Sequence, residues 1–291
     1  DRDEWTKQVK EKFTRNKIVT LNDKPDFLKI KYAIIWELPN KIYKKLVNLK
    51  LLFSMGAGVD HIINLQSYNN IPIVRLKDPL MAERMSNHVI SQILQYQLNL
   101  KSYFENQRRN QWTNFVEPVP NSTLTIGVLG VGFLGSYVCK TLLDLGYKVQ
   151  GYKLSKPKKK YKYPIFFKTK DLKRFISDSD ILISILPATP KTNNFIDEKF
   201  LKLMKKKALL INVGRGSLIK EKDLVIFLKK NKFFNVSLDV FNEEPLPKNH
   251  PFWNLPNVTI TPHVASVTAI DSAVNHMYLK YKEFQKNRRF I

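Results

Sequence analysis

Short apolar runs alternate with longer amphipathic stretches over the second part of the chain. The apolar runs are continuous, which is typical of parallel strands that are covered on both faces. A helical crossover has to join each such strand to the next. The strands predicted in this part are Leu124–Leu129, Lys148–Tyr152, Ile181–Ile185, Leu209–Val213, Val236–Val240 and Val258–Thr261. The pattern predicts a doubly wound parallel α/β sheet.

A weaker version of the same pattern occupies the first ninety or so residues. The strands predicted there are Lys17–Thr20, Tyr32–Trp36, Leu51–Ser54 and Ile73–Leu76. One long helix is predicted over Met81–Phe104, followed by the polar connection Glu105–Ser122, and another helix over Ile270–Arg289 that we expect to return to the first unit. We therefore predict two α/β domains with a cleft between them: residues 1–95 with 272–291, and residues 96–271.

Length and composition agree with two globular domains. The chain has 291 residues, of which 43% are hydrophobic, enough for sizeable cores. Because no run of about 18 apolar residues occurs, we expect no membrane partner. The single cysteine, Cys139, cannot form an internal disulfide, and we expect it to pack in a helix of a cytoplasmic protein.

The formal net charge of +24 raises nucleic-acid binding as an alternative function. Only ten of the 49 basic residues are arginines, and the lysines are scattered along the chain. The densest run, 153–162, falls between predicted strands and is interpreted as a solvated loop. We expect no nucleic-acid partner, whereas the alternative predicts salt-sensitive retention on DNA. The charge could instead attract small anionic ligands.

A glycine-rich turn follows the first strand of the second domain and opens a helical stretch. The residues predicted to bind a dinucleotide there are Gly130, Gly132, Phe133, Leu134 and Gly135. Glycines permit a tight turn and a close approach of pyrophosphate to the helix N-terminus. The strand before, the helix after and the second strand make this motif specific for dinucleotide binding.

The end of the next strand carries cations where an NAD-binding protein usually has a carboxylate. Lys153, Ser155 and Lys156 occupy this region, and no Asp or Glu lies among them. Lysines and a hydroxyl suit the 2′-phosphate of NADPH, which we favour as the cofactor, with NADH possible. The alternative is that these lysines belong to the general lysine bias and confer little preference.

Three motifs in order resemble the D-isomer-specific 2-hydroxyacid dehydrogenases, and within that family the glyoxylate/hydroxypyruvate reductase A branch. They begin at Leu210 (LINVGRG), Leu238 (LDVFNEEPLP) and Thr261 (TPHVA). The resemblance implies a Rossmann-type dinucleotide-binding domain, a flavodoxin-like substrate-binding domain, a small 2-oxo acid substrate, a preference for NADPH, and a homodimer. It also implies cofactor contacts for Leu186, Pro187, Thr192, Val213, Gly214 and Asp239.

The residue types in these motifs fit reduction of a 2-oxo acid. Arg215 follows a predicted strand, and its planar fork suits the substrate carboxylate. His263 is the expected general acid, since imidazole exchanges a proton near neutral pH. Glu244 is expected to orient the imidazole ring and to favour its protonated form. These three residues are the predicted catalytic set, and no metal is expected.

A small-residue loop in the first domain is the predicted substrate loop. Gly56, Ala57 and Gly58 follow a predicted strand, and their backbone N–H groups can bind a carboxylate. Trp36, at another strand end, matches a tryptophan near the substrate in the related branch, although it could equally be a packing residue.

An alternative function on the same fold is a catalytically silent sensor of dinucleotides, against which the complete set of Arg215, Glu244 and His263 argues. The resemblance further implies a strand before Asp1 and a short piece after Ile291.

Overall fold

The computed structural model describes residues 2–114, 116–157 and 160–287. Its contacts divide the chain into two compact units. The first comprises residues 1–81 and 267–291, and the second comprises residues 82–266. The last two residues of the predicted helix 270–289 lie outside the described residues, as do two lysines of the run 153–162.

Regular elements alternate along both units. In chain order they are α1 (Arg2–Lys12), β1 (Tyr32–Ile35), α2 (Asn40–Tyr43), β2 (Leu51–Ser54), α3 (Asp60–Ile63), β3 (Ile73–Val74), α4 (Pro79–Gln97), α5 (Leu100–Arg108), β4 (Thr125–Leu129), α6 (Phe133–Asp144), β5 (Lys148–Tyr152), β6 (Ile165–Phe166), α7 (Thr169–Asp178), β7 (Ile181–Ser184), α8 (Glu198–Leu201), β8 (Leu209–Asn212), α9 (Glu221–Lys230), β9 (Asn235–Leu238), β10 (Val258–Ile260) and α10 (Ile270–Asn287). Short 3₁₀ helices cover Leu21–Asp23, Phe27–Lys29, Asn121–Thr123, Gly216–Leu218 and Pro251–Asn254.

The first unit contains a parallel sheet in the order β1-β2-β3. One core lies between this sheet and helices α1 and α10, where Phe13 packs edge-on against Tyr278. A second core includes Leu52 and Ile62 and covers the other face. The chain returns to this unit through α10, as the sequence predicted.

The second unit contains a parallel sheet in the order β10-β9-β8-β7-β4-β5-β6. Alternate residues of one strand enter opposite cores: Leu182 belongs to one core, and Ile181 and Ile183 belong to the other. Both faces of the sheet are therefore covered, which explains the continuous apolar runs. The strand order reverses between β4 and β7, the position where ligands bind in open α/β sheets. The predicted α/β fold class is confirmed.

The single long helix predicted over Met81–Phe104 is wrong. Helix α4 ends at Gln97, and Asn99 adopts a left-handed conformation (φ 53°) before α5 begins. Tertiary bonds hold the end of α4, since the Tyr147 hydroxyl donates to Gln97 Oε1 (2.6 Å). The apolar periodicity continues through the break, so the sequence pattern did not reveal it.

Two strand predictions also differ from the structure. Residues 17–20 are irregular, although Ile18 packs against the core of the first unit. Strand β6 was not predicted because its two residues follow a lysine- and tyrosine-rich segment with little apolar pattern. The compact units divide at 81/82 and 266/267, whereas the predicted domains divide at 95/96 and 271/272. Helix α4 explains the first shift, because Met85, Val89 and Ile93 are buried in a core of the second unit.

Candidate functional site

The glycine turn after β4 has the shape required for close approach of a ligand. Gly130 has φ +99°, and a Cβ there would lie 2.8 Å from the Ile185 carbonyl oxygen. Gly135 packs directly on the backbone of Gly130, so it brings helix α6 close to the strand. A Cβ on Gly132 would meet no atom of the described residues within 4 Å. The turn is therefore closed on its inner side and open at Gly132, which fits a dinucleotide phosphate at the N-terminus of α6.

The side chains that follow Gly132 differ in exposure. Phe133 begins α6 and is 41% exposed, whereas Leu134 is partly buried against the core beneath the sheet. Of the two, only Phe133 presents a large apolar surface outward.

Lys153 directly follows β5, and its ammonium is held in place. Nζ donates to the Val131 carbonyl oxygen and to the Tyr161 hydroxyl, both at 3.2 Å. The backbone N–H of Lys153 donates to Phe166 O, so β6 fixes the main chain as well. Ser155 and Lys156 are exposed. The prediction of a solvated loop is thus wrong at Lys153, because its ammonium is bonded to the glycine turn.

The loop after β7 carries the predicted cofactor residues Leu186, Pro187 and Thr192. Pro187 is exposed, but Leu186 is buried and Thr192 has no exposed surface. The Thr192 hydroxyl donates to Pro187 O (2.7 Å) and accepts from Thr189 N–H (2.8 Å). The Thr192 side chain therefore supports the loop from inside, and its contact with the dinucleotide stays a prediction.

The turn after β8 positions Arg215. Val213 and Gly214 are buried, and a Cβ on Gly214 would lie 2.7 Å from Leu186 O. Asn212 accepts from Gly214 N–H (3.2 Å) and donates to Arg215 O (2.9 Å), so its buried amide fixes the turn. Arg215 is partly buried, and its Nη1 donates to Gly214 O (2.8 Å). Asn212 lies within the motif that begins at Leu210, but the sequence pattern indicated no role for it.

Asp239, directly after β9, organises the loop that carries His263. Its carboxylate accepts hydrogen bonds from the Thr261 hydroxyl (2.6 Å) and from the N–H groups of Val264 and Ala265 (both 2.9 Å). The side chain is 1% exposed. The carboxylate therefore supports the loop 261–265, and the place of Asp239 near the nicotinamide side of the cofactor site stays a prediction.

His263 and Glu244 form a close pair. His263 Nδ1 lies 2.7 Å from Glu244 Oε2, while Glu244 Oε1 accepts from Phe241 N–H (2.9 Å). His263 has a left-handed backbone (φ 54°), uncommon for a non-glycine residue, and its N–H donates to Asp239 O (2.8 Å). Its side chain is 41% exposed. The ring is thus oriented from Nδ1, which leaves Nε2 as the nitrogen for proton exchange with a ligand.

Arg215, Glu244 and His263 lie on one edge of the sheet. They follow the carboxyl ends of the neighbouring strands β8, β9 and β10. A cation that binds carboxylates and an imidazole paired with a carboxylate are thereby placed on adjacent loops.

His88, on helix α4, was not identified from sequence. Burial lowers the pKa of its imidazole, and Asp239 opposes this shift. Its Nε2 is buried without a hydrogen-bond partner among the described residues. The imidazole is therefore neutral near pH 7 and lies near Asp239, which supports the loop 261–265.

The predicted substrate loop of the first unit is packed against Trp36. A Cβ on Gly56 would lie 2.6 Å from Trp36 Cζ3. The indole is 43% exposed and is tilted against the His61 ring, with centroids 4.9 Å apart. The Ser54 hydroxyl donates to Gly58 O (2.8 Å), which fixes the loop on either side of Ala57. The Trp36 indole therefore packs on the loop and is partly exposed.

Neither a metal cluster nor a membrane-spanning helix occurs among the described residues. No cluster of three or more His, Cys, Asp and Glu side chains there could hold a metal ion. No helix in the described part of the chain is long and apolar enough to cross a membrane.

Comparison with known proteins shows close relatives. Residues 90–265 match the family described as "D-isomer specific 2-hydroxyacid dehydrogenase, NAD binding domain". Glyoxylate/hydroxypyruvate reductase A of Photorhabdus laumondii is 34% identical over 262 residues, covering 88% of this chain and 83% of the relative. The protein of the same name from Yersinia enterocolitica is 33% identical over 263 residues, with the same coverage.

Solved structures give the same result. A probable 2-hydroxyacid dehydrogenase from Rhizobium etli, in complex with NADP, HEPES and L(+)-tartaric acid, superposes with a TM-score of 0.91 at 32% identity and covers 98% of this chain and 92% of its own. An NADPH-dependent glyoxylate/hydroxypyruvate reductase from Sinorhizobium meliloti, with NADP and sulfate, has a TM-score of 0.90 at 28% identity and the same coverage. The chain therefore belongs to the D-isomer-specific 2-hydroxyacid dehydrogenase family.

Proposed function

We propose that this chain reduces a small 2-oxo acid of the glyoxylate or hydroxypyruvate type to the 2-hydroxy acid, with NADPH as the favoured cofactor. The observation that carries the proposal is the 2.7 Å pair of His263 and Glu244, on the sheet edge that also carries Arg215. Family membership supports the reaction class, and relatives that carry NADP support the cofactor.

Each catalytic residue has one role in this proposal. Arg215 binds the substrate carboxylate with its planar fork and polarises the neighbouring carbonyl. His263 donates a proton from Nε2 to the carbonyl oxygen, and Glu244 stabilises the imidazolium form and fixes the ring. The bound cofactor supplies the hydride. One hydride and one proton thus convert the carbonyl to a hydroxyl group, and His263 accepts the proton in the reverse direction.

The remaining contacts are proposed for the dinucleotide and the substrate. Gly130, Gly132 and Phe133 are assigned to the dinucleotide, with backbone contacts at Pro187 and Gly214. Lys153, Ser155 and Lys156 are assigned to its adenosine phosphate. On the first unit, Gly56, Ala57 and Gly58 are assigned to the substrate carboxylate, and Trp36 is assigned to a position near the substrate. Residues 96–271 remain the proposed dinucleotide-binding domain, and residues 1–95 with 272–291 the proposed substrate-binding domain.

The assembly and the location form part of the same proposal. We propose a homodimer, as the family resemblance implies, and a cytoplasmic location, which the single cysteine fits. Light scattering of the purified chain tests the dimer, and a monomeric mass would remove that part of the proposal.

Steady-state oxidation of NADPH and NADH tests the function, with glyoxylate, hydroxypyruvate and pyruvate as substrates. Arg215→Ala is expected to lower kcat/KM by about 100-fold or more, since hydrogen bonds to charged groups contribute about 1.5–3 kcal/mol each. Arg215→Lys retains the charge but loses the fork, so partial activity is expected. Arg174→Ala, at an exposed surface pair, is the matched control.

The outcomes separate the parts of the proposal. Turnover with a preference for NADH would remove only the cofactor assignment. A folded protein that binds a dinucleotide but reduces none of these acids would contradict the proposed substrate class and favour a sensor.

A further inference from the structure

The anchoring of Lys153 points to a residue that the sequence did not single out. Tyr161 accepts a hydrogen bond from the Lys153 ammonium (3.2 Å), and the same nitrogen lies 5.7 Å from the Tyr161 ring centroid. The Tyr161 ring is tilted against Tyr163, with centroids 5.5 Å apart. Tyr163 in turn packs against the buried core of the second unit. Tyr161 is therefore a braced side chain.

Two hydrogen bonds hold the Lys153 ammonium in place. A lysine ammonium has three N–H donors, and the described residues take two of them, at Val131 O and at the Tyr161 hydroxyl. The Val131 carbonyl belongs to the glycine turn itself. The cation is thus held beside the turn with one donor remaining for an anionic group.

We propose that Tyr161 is a specificity-determining residue for NADP(H) over NAD(H), and that it acts by holding the Lys153 ammonium in place for the adenosine 2′-phosphate. This inference rests on the proposed function, since it concerns the cofactor of that same site. Tyr161 is a positioning residue in this account, and Lys153 is the residue that contacts the phosphate.

The physical basis is preorganisation. A lysine side chain has many rotamers, and part of this conformational entropy is lost when it is ordered on a ligand. Lys153 is already ordered by Val131 and Tyr161, so binding of a phosphate costs less. A dinucleotide without the 2′-phosphate gains nothing from this cation, and its affinity is expected to be almost independent of Tyr161.

A double-mutant cycle on the full chain tests the proposal. Dissociation constants for NADPH and NADH are measured by calorimetry, in the absence of oxo acid, for wild type, Tyr161→Phe, Lys153→Ala and the double variant. Tyr161→Phe retains the ring and its packing on Tyr163, and thermal melting checks that the variants fold. Lys160→Ala removes an exposed lysine next to Tyr161 and is the charge control.

The expected results are specific to NADPH. Tyr161→Phe should weaken NADPH about fivefold and Lys153→Ala about tenfold, each with less than about a twofold change for NADH. The double variant should match Lys153→Ala within about twofold, because the Tyr161 effect passes through Lys153. Lys160→Ala should change the NADPH preference by less than about twofold.

Two results would overturn the inference while the proposed function stands. The first is that Tyr161→Phe raises the Kd for NADPH and for NADH by the same factor. The second is that Tyr161→Phe weakens NADPH binding as much in the Lys153→Ala background as in wild type. A wild-type protein that binds NADH as tightly as NADPH would instead remove the cofactor assignment, and the inference with it.

Discussion

The His263–Glu244 pair is the most informative residue-scale feature of the site. The carboxylate is held by Phe241 N–H and contacts the imidazole at Nδ1, so it fixes the orientation of the ring. The left-handed backbone of His263 is maintained by Asp239, which receives bonds from the following two N–H groups. Orientation of the proposed proton donor therefore depends on two carboxylates with different roles.

Glu244→Gln tests the pairing through turnover. The amide can still contact His263 Nδ1, but it lacks the negative charge that would stabilise an imidazolium beside it, so we expect kcat for reduction to fall at least about tenfold. The Kd for NADPH should change little. Glu243→Gln, at the preceding exposed residue, is the matched control. A kcat equal to that of wild type would contradict the pairing.

Gly56→Ala tests the packing of Trp36 on the substrate loop. The added Cβ would lie 2.6 Å from the indole, which is partly exposed and can move. We expect the KM for the oxo acid to rise several-fold, about 1 kcal/mol in binding, with an unchanged Kd for NADPH. Addition of Trp36→Phe should restore part of the loss, because the smaller ring leaves room for the methyl group. A KM equal to that of wild type would show that the indole does not contact the substrate.

At the scale of elements, the proposed site residues follow the ends of parallel strands, and short turns orient their side chains. Arg215, Glu244 and His263 all follow strand ends, and the sequence pattern was sufficient to place them there. The turns themselves are fixed by buried polar side chains such as Asn212 and Thr192. Their bonds are local, but the burial that makes these bonds strong comes from the packed sheet.

The break between α4 and α5 predicts a stability effect at Asn99. Its left-handed conformation costs most residues about 1 kcal/mol, and its Oδ1 also accepts from the Ser102 hydroxyl (2.9 Å). Asn99→Ala should therefore lower the free energy of unfolding by about 1–2 kcal/mol, and Asn99→Gly by less. Chemical denaturation measures both. Equal losses for the two variants would show that the backbone conformation contributes nothing.

Helix α4 also predicts a pH dependence of stability. Burial lowers the pKa of His88 in the folded state, so the unfolded state binds a proton first as the pH falls below about 6.5. The free energy of unfolding should thus decline below that pH, by at most about 1.4 kcal/mol per unit for this group. His88→Gln should make the decline shallower. Identical slopes for variant and wild type would show that His88 does not titrate this way.

At the scale of the whole molecule, the net charge of +24 is the dominant electrostatic property. Its field attracts anions, and the proposed substrate and cofactor are both anionic. We therefore expect kcat/KM to fall about threefold or more between about 20 and 200 mM NaCl, as the screening length shortens. The kcat at saturation should change little, because steering acts on association. A kcat/KM independent of salt would exclude steering.

Much of the fold could be predicted from sequence, as could the position of the proposed catalytic residues after strand ends. Continuous apolar runs such as Ile181–Ser184 predicted buried parallel strands. The glycine motif predicted the turn between the first strand of the second unit and the helix that follows it. The predictions failed where an element depended on distant partners. The irregular segment 17–20 pairs with no strand among the described residues, and α4 ends where tertiary bonds and the left-handed Asn99 stop it.

The sequence by itself determined most of the strands, the glycine turn and the residue types at the strand ends, because these depend on local spacing. The tertiary structure alone decided how those side chains are used. Lys153 is bonded to Val131 and Tyr161, and Asp239 supports the loop of His263. Most of these partners lie eight to 26 residues apart in the chain. Such contacts follow from packing, which no local pattern specifies.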